Sequence, residues 1–248
     1  GGKDFVLAHA SADPEVVKTA LIRGAFEYSG QKCSAASRAY LPRSLWNLIS
    51  DDLIAQVEAL KVGDVRDFSN FTSAVIDERA FDKLSAAIDA VKASSDAEIV
   101  AGGSYDRSEG WFVRPTLAVS DNPKQDIFVT EYFGPLLGIF VYDDADYDKV
   151  LDLVDTASAY ALTGSILATD RTAIELAQNK LRYTAGNFYI NDKPTGAVVG
   201  QQPFGGARRS GTNDKAGSAW NLLRWVSPRT VKETHLPPTG HAYPHMQR

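Results

Sequence analysis

Cysteine and methionine are almost missing from this chain of 248 residues: each occurs once, as Cys33 and Met246. A lone cysteine cannot close an internal disulfide, so a reducing intracellular compartment is expected, the cytoplasm or, in a eukaryote, the mitochondrial matrix. Long apolar runs are missing too. The longest, Phe133–Val141, falls far short of the roughly 20 residues that a membrane-spanning helix needs. No basic segment followed by an apolar stretch opens the chain, and no secretory signal is read there. Neither sign of charge dominates: 26 Lys and Arg stand against 31 Asp and Glu, a net charge of -5. That balance argues against nucleic acid or an anionic membrane as partner and favours a small-molecule substrate. The G-x-G-x-x-G dinucleotide fingerprint follows no expected strand. The chain opens on Gly1 and its only methionine lies near the other end, so we expect a piece of a longer polypeptide.

What is present is an ordinary globular balance, 44% apolar and 23% charged. Asp13-Pro14-Glu15 supplies an N-cap, a preset φ and a first-turn acid, and Val17, Leu21, Ala25 and Tyr28 then recur at helical spacing as far as Gly30. The same period runs through Leu45–Leu60 and Phe81–Val91, and again around Val150–Val154 and Ile174–Leu181. Short β-rich runs lie between: Arg38–Leu41, Glu98–Ala101, Leu136–Tyr142, Gly164–Ala168 and Asn187–Ile190. Strand alternating with helix predicts an α/β fold, a mostly parallel sheet with helices on both faces. Residues 196–217 are glycine-rich and aperiodic, which predicts a long ordered loop. Thr230–His235 alternates like a lone strand, for which a second chain is a natural partner.

Cys33 follows the first helix in Gly30-Gln-Lys-Cys-Ser-Ala35. A lone cysteine is most often a buried, inert thiol. A glycine-loosened turn, the adjacent Lys32 and the small residues that follow argue instead for an accessible sulfur with free backbone N–H groups, suited to a thiolate and an oxyanion. Other constellations read as bland. His241 and His245 have a metal-like interval but no further ligand, and Asp143–Asp148 lacks the glycine and closing Glu of a calcium loop. No metal site is assigned.

Gly30-Gln-Lys-Cys33, Thr130-Glu-Tyr-Phe-Gly-Pro135 and Pro203-Phe-Gly-Gly206 together resemble the aldehyde dehydrogenase superfamily. Gly1-Gly-Lys3 resembles the end of that superfamily's Glu-x-Gly-Gly-Lys element. Longer strings, Phe26–Ala35, Ala185–Lys193, Val199–Arg208 and Ser210–Lys215, narrow the resemblance to the pyrroline-5-carboxylate dehydrogenase family, across nearly the whole chain. The resemblance implies NAD-dependent oxidation of glutamate γ-semialdehyde with Cys33 as nucleophile. It implies that Ser34, Gly196 and Ala197 hold the substrate's α-amino carboxylate end, with Phe204 against its stem. Many relatives carry Ser where this chain has Ala197, which removes one hydroxyl contact. Glu131 is implied to bind the nicotinamide ribose and Phe133 to pack beside the ring. The implied organisation is a catalytic domain over 1–228 and an oligomerisation strand and tail over 229–248, in a homo-oligomer. The NAD-binding domain, general-base Glu and oxyanion Asn would lie upstream of Gly1. Two alternatives stay open: another aldehyde dehydrogenase, including the dehydrogenase half of a bifunctional proline oxidase, and a non-catalytic oligomerising module.

Overall fold

The computed structural model describes residues 1–247. Seven strands form one sheet: β1 (Asp4–Ala8), β2 (Ala36–Pro42), β3 (Ala97–Ala101), β4 (Thr116–Ser120), β5 (Leu136–Tyr142), β6 (Thr163–Leu167) and β7 (Asn187–Ile190). In space they run β7-β6-β1-β2-β5-β4-β3, every neighbouring pair parallel except β3 with β4. The long helices are α1 (Pro14–Phe26), α2 (Arg43–Glu58), α3 (Glu78–Ala93), α4 (Tyr147–Thr156) and α5 (Arg171–Lys180).

Successive side chains of a strand point to opposite faces, and both faces here are covered. Val6 and Ala8 of β1 pack with Leu21 of α1 and with Ile49 and Leu53 of α2. Phe5 and Leu7 pack with Leu151 of α4 and Ile174 of α5 on the other face. A third cluster sets Phe81, Leu84 and Ile88 of α3 against Ala118, Ile127 and Phe128. Leu21 and Leu53 are wholly buried, and burial of each contributes about 1.5–3 kcal/mol.

The expected helices and strands form, with three differences. The α-helix that begins at the Asp13 cap ends at Phe26, short of Gly30, because Tyr28 and Ser29 turn into the left-handed region at φ 55° and 54°. Strands β1 and β4 were not apparent in the sequence. The lone strand expected at Thr230–His235 is not formed: these residues are exposed and pair with no strand among the described residues. A strand needs a ladder partner, and no sheet edge of the single chain lies against it. Residues 196–217 are irregular for most of their length, pinned by a bridge between Phe204 and Ala216 and by the short strand Ala207–Arg208, which pairs antiparallel with Tyr160–Ala161.

Candidate active site

Three chain segments enter adjacent parallel strands at the same edge of the sheet. Gly2 and Lys3 lead into β1, Cys33–Ala35 into β2, and Glu131–Pro135 into β5. Between them lies a crevice whose walls include Gly2, Gly30, Lys32, Cys33, Glu131 and Phe133. Ligands in open α/β sheets usually bind at the carboxyl ends of strands; here the chemistry-bearing residues collect at the amino ends.

The loop of Cys33 is held from several sides. Ser29 donates to the Ser73 carbonyl at 2.6 Å, and the Ile76 N–H donates to Gln31 Oε1 at 2.8 Å. Gly30 has φ +65°, and a Cβ there would strike the Gly134 carbonyl and stand 2.8 Å from the Ala25 carbonyl oxygen. The glycines of two separate motifs therefore meet backbone to backbone. The Ala35 N–H closes a turn on the Lys32 carbonyl at 3.0 Å. Within this turn the N–H groups of Cys33 and Ser34 reach no protein acceptor among the described residues. Cys33 is exposed and Ser34 buried, so Cys33 is not a buried thiol.

Lys32 does not serve the sulfur as the sequence suggested. Its Nζ donates to Glu27 Oε2 at 2.9 Å, and Lys193 Nζ donates to the same oxygen at 3.3 Å. Burial alone would raise the Glu27 carboxyl, but the two ammonium groups outweigh it and hold it below its ordinary range. Lys193 also donates to Thr195 Oγ1 at 3.1 Å. Glu27 thus ties the Cys33 loop to the segment after β7, which runs past α1 with Lys193 and Pro194 against Gly24.

Glu131 and Phe133 share the crevice with Cys33. Glu131 Oε1 accepts the Gly2 N–H at 2.7 Å. Phe133 is 41% exposed and has φ +59°, a strained setting for an aromatic residue in the open. A half-buried carboxylate beside an exposed ring offers an acceptor for sugar hydroxyls and a flat apolar surface, the features a nicotinamide ribose requires. Gly196, Ala197 and Phe204 line no part of this crevice. Gly196 and Ala197 sit beyond Thr195, and Phe204 follows Pro203, whose carbonyl accepts from Asn187 Nδ2 of β7 at 3.0 Å.

Beside Lys3 of the Gly1-Gly-Lys3 element, itself buried in the crevice wall, lie two buried residues that sequence reasoning passed over: Asp4 and Arg38. The only signal was their position beside apolar strand residues. Burial, aided by the Arg38 charge, lowers the Lys3 pKa to about 7; its ammonium lies 5.5 Å from the Tyr132 ring centroid.

The model of the aldehyde dehydrogenase family matches residues 1–231. The chain belongs to this family. It is 55% identical over 246 residues to the mitochondrial delta-1-pyrroline-5-carboxylate dehydrogenase of Dictyostelium discoideum, covering 99% of this chain and 44% of that protein. The Danio rerio protein of the same name is 51% identical over 247 residues, with 99% and 44% covered. The crystal structure of the Mycobacterium tuberculosis Delta-pyrroline-5-carboxylate dehydrogenase bound with NAD superposes with a TM-score of 0.88 at 57% identity, covering 99% of this chain and 45% of that one. The chain therefore spans less than half the length of the relatives it matches.

Proposed function

We propose that the complete polypeptide containing this chain oxidises L-glutamate γ-semialdehyde, formed from pyrroline-5-carboxylate, to L-glutamate with NAD, and that this chain supplies the nucleophile and substrate-reading surfaces. The observation that carries this reading is that the exposed Cys33 shares one crevice with Glu131 and Phe133. The Cys33 thiolate adds to the aldehyde carbon, and the new oxyanion accepts from the unengaged Cys33 N–H. NAD, when bound, supplies the hydride acceptor. Loss of hydride from the thiohemiacetal leaves a Cys33 thioester, which water cleaves to the carboxylate and the free thiol. Glu131 binds ribose hydroxyls and Phe133 packs beside the nicotinamide ring. Ser34, Gly196 and Ala197 bind the distal carboxylate, and Phe204 packs on the stem. The general base and a further oxyanion donor come from the upstream region, as the family resemblance implies.

Residues 1–228 act as the catalytic domain, and 229–248 pair with a second copy as an oligomerisation strand and tail. The exposed, unpaired backbone of Thr230–His235 supports that assignment. The polypeptide works in the cytoplasm or, in a eukaryote, the mitochondrial matrix; among the described residues no helix is long and apolar enough to cross a membrane. Ser34→Ala tests the substrate assignment. A site built with donors for a carboxylate discriminates against substrates that lack one, so the change should depress turnover of glutamate semialdehyde far more than that of propanal. Equal loss on both removes Ser34 from the carboxylate site.

A further inference from the structure

Asp4 is 2% exposed. Its Oδ1 accepts the Thr163 N–H at 2.7 Å, while its Oδ2 is buried with no partner among the described residues. An ionised carboxylate in that place would need a cation on its free oxygen, because an unpaired buried charge is strongly disfavoured. None serves it. Arg38 donates to the Lys3 carbonyl at 2.7 Å, the Val154 carbonyl at 3.1 Å and the Tyr40 hydroxyl at 3.2 Å. The Lys3 ammonium is turned to the Tyr132 ring. On the side of Gly2 the neighbouring polar group is an acceptor: Asp4 Oδ2 and the Cys33 carbonyl oxygen both crowd the point where a Gly2 Cβ would stand. Two bare acceptors facing one glycine repel, whereas a proton on the buried carboxyl would let it donate toward the carbonyl.

We propose that Asp4 is a positioning residue that stays protonated in the folded protein, its Oδ2–H steadying the Cys33 carbonyl from below and so fixing the turn that presents the Cys33 sulfur and N–H. The charged and titratable groups facing it are Lys3 on its own strand, Arg38 on β2 and Glu131 at the entry to β5; Asp126 faces Lys3, and Asp155 faces Arg38 from the end of α4. Thr163 faces it from β6, and its hydroxyl, which has no other partner among the described residues, is a neutral donor that with the Thr163 N–H favours the ionised carboxyl. Burial pushes the Asp4 carboxyl up to about 8, against the opposing pull of the Thr163 N–H and the Arg38 charge.

The catalytic meaning of this assignment rests on Cys33 being the nucleophile; its test does not. The complete polypeptide is compared with Asp4→Asn, whose amide copies a protonated carboxyl, and with Asp4→Ala, by urea unfolding across pH and by iodoacetamide labelling of native Cys33. A carboxyl protonated only when folded makes the unfolded state bind fewer protons, so stability falls as pH rises from about 4 to about 8. Relative to Asp4→Asn, the parent's folding equilibrium constant should therefore drop by about ten-fold per pH unit across that window. Asp4→Asn should label Cys33 at the parental rate at neutral pH, and Asp4→Ala should not. The proposal is overturned if Asp4→Asn is destabilised like Asp4→Ala at neutral pH, the result for an ionised partner of Arg38, or if both variants match the parent. If neither variant folds, a protonated-carboxyl infrared band in the parent at about pH 6, well above the ordinary aspartate range, supports the proposal, and its absence overturns it.

Discussion

Gly30→Ala should damage the fold and the candidate site together, and its size can be worked from two separate costs. At φ +65° a Cβ meets the strain of the left-handed region, about 1–2 kcal/mol for an L-residue. The same Cβ would strike the Gly134 carbonyl and sit 2.8 Å from the Ala25 carbonyl oxygen. Both obstacles are backbone, one in α1 and one at the entry to β5, so relief requires one of them to move; overpacking of that kind costs about 1–3 kcal/mol. The total is about 2–5 kcal/mol. Gly217→Ala is the matched control, with φ +85° and nothing within 4 Å of its Cβ, so only the conformational cost applies. Both substitutions also lower the entropy of the unfolded chain, and that contribution cancels in the comparison. Urea unfolding of the complete polypeptide, at equal m, should place Gly30→Ala below Gly217→Ala by about 1–3 kcal/mol. It should also change the rate at which iodoacetamide labels Cys33, since Gly30 ends the kink that leads into the turn. Equal midpoints for the two variants, or native labelling in a strongly destabilised Gly30→Ala, would refute the claim that the two motifs bear on each other through their backbones.

Two further outcomes follow from the same geometry. Glu131→Gln in the complete polypeptide should weaken NAD use by one charge-assisted hydrogen bond, about 1.5–3 kcal/mol; titration calorimetry together with the hydride-transfer rate checks it, and no change in either removes Glu131 from the cofactor site. Glu27→Gln should release Lys32 and Lys193 together, raising KM for glutamate semialdehyde more than KM for propanal, and a KM ratio equal to that of the parent would show that the Glu27 link does not reach the substrate loop.

The sequence disclosed the helices because each presents one apolar stripe to the sheet, and a stripe leaves a period. Strand β1, Asp-Phe-Val-Leu-Ala, leaves none: it lies in the middle of a sheet covered on both faces, so all five residues are buried and the polar alternation of a half-exposed strand never appears. Strand β4 comes close to the same condition, with four of its five residues buried. Cys33, Glu131 and Phe133 were legible as motif residues, and the fold brings them to one crevice. What the motifs mean structurally was not. Gly30 is glycine to admit the Gly134 carbonyl, Gln31 is an anchor for Ile76, and Lys32 spends its charge on Glu27, five residues back and across a kink that helical periodicity does not predict. Asp4 and Arg38 were passed over because an acid and a base in a strand register as exceptions to a pattern rather than as a pair of buried groups. The segment that leads to Gly196 and Ala197 is joined to the Cys33 loop through Lys193 and Glu27, a link with no local signal in the sequence.

The most direct test of the central claim is single-turnover oxidation of L-glutamate γ-semialdehyde by the complete polypeptide, with NADH absorbance and the mass of the Cys33 peptide followed after acid quench. The account predicts a burst of NADH with a glutamyl thioester on Cys33, L-glutamate as final product, and neither burst nor adduct in Cys33→Ala that still binds NAD. NADH formation that survives in Cys33→Ala, or turnover of propanal with none of glutamate semialdehyde, would contradict it.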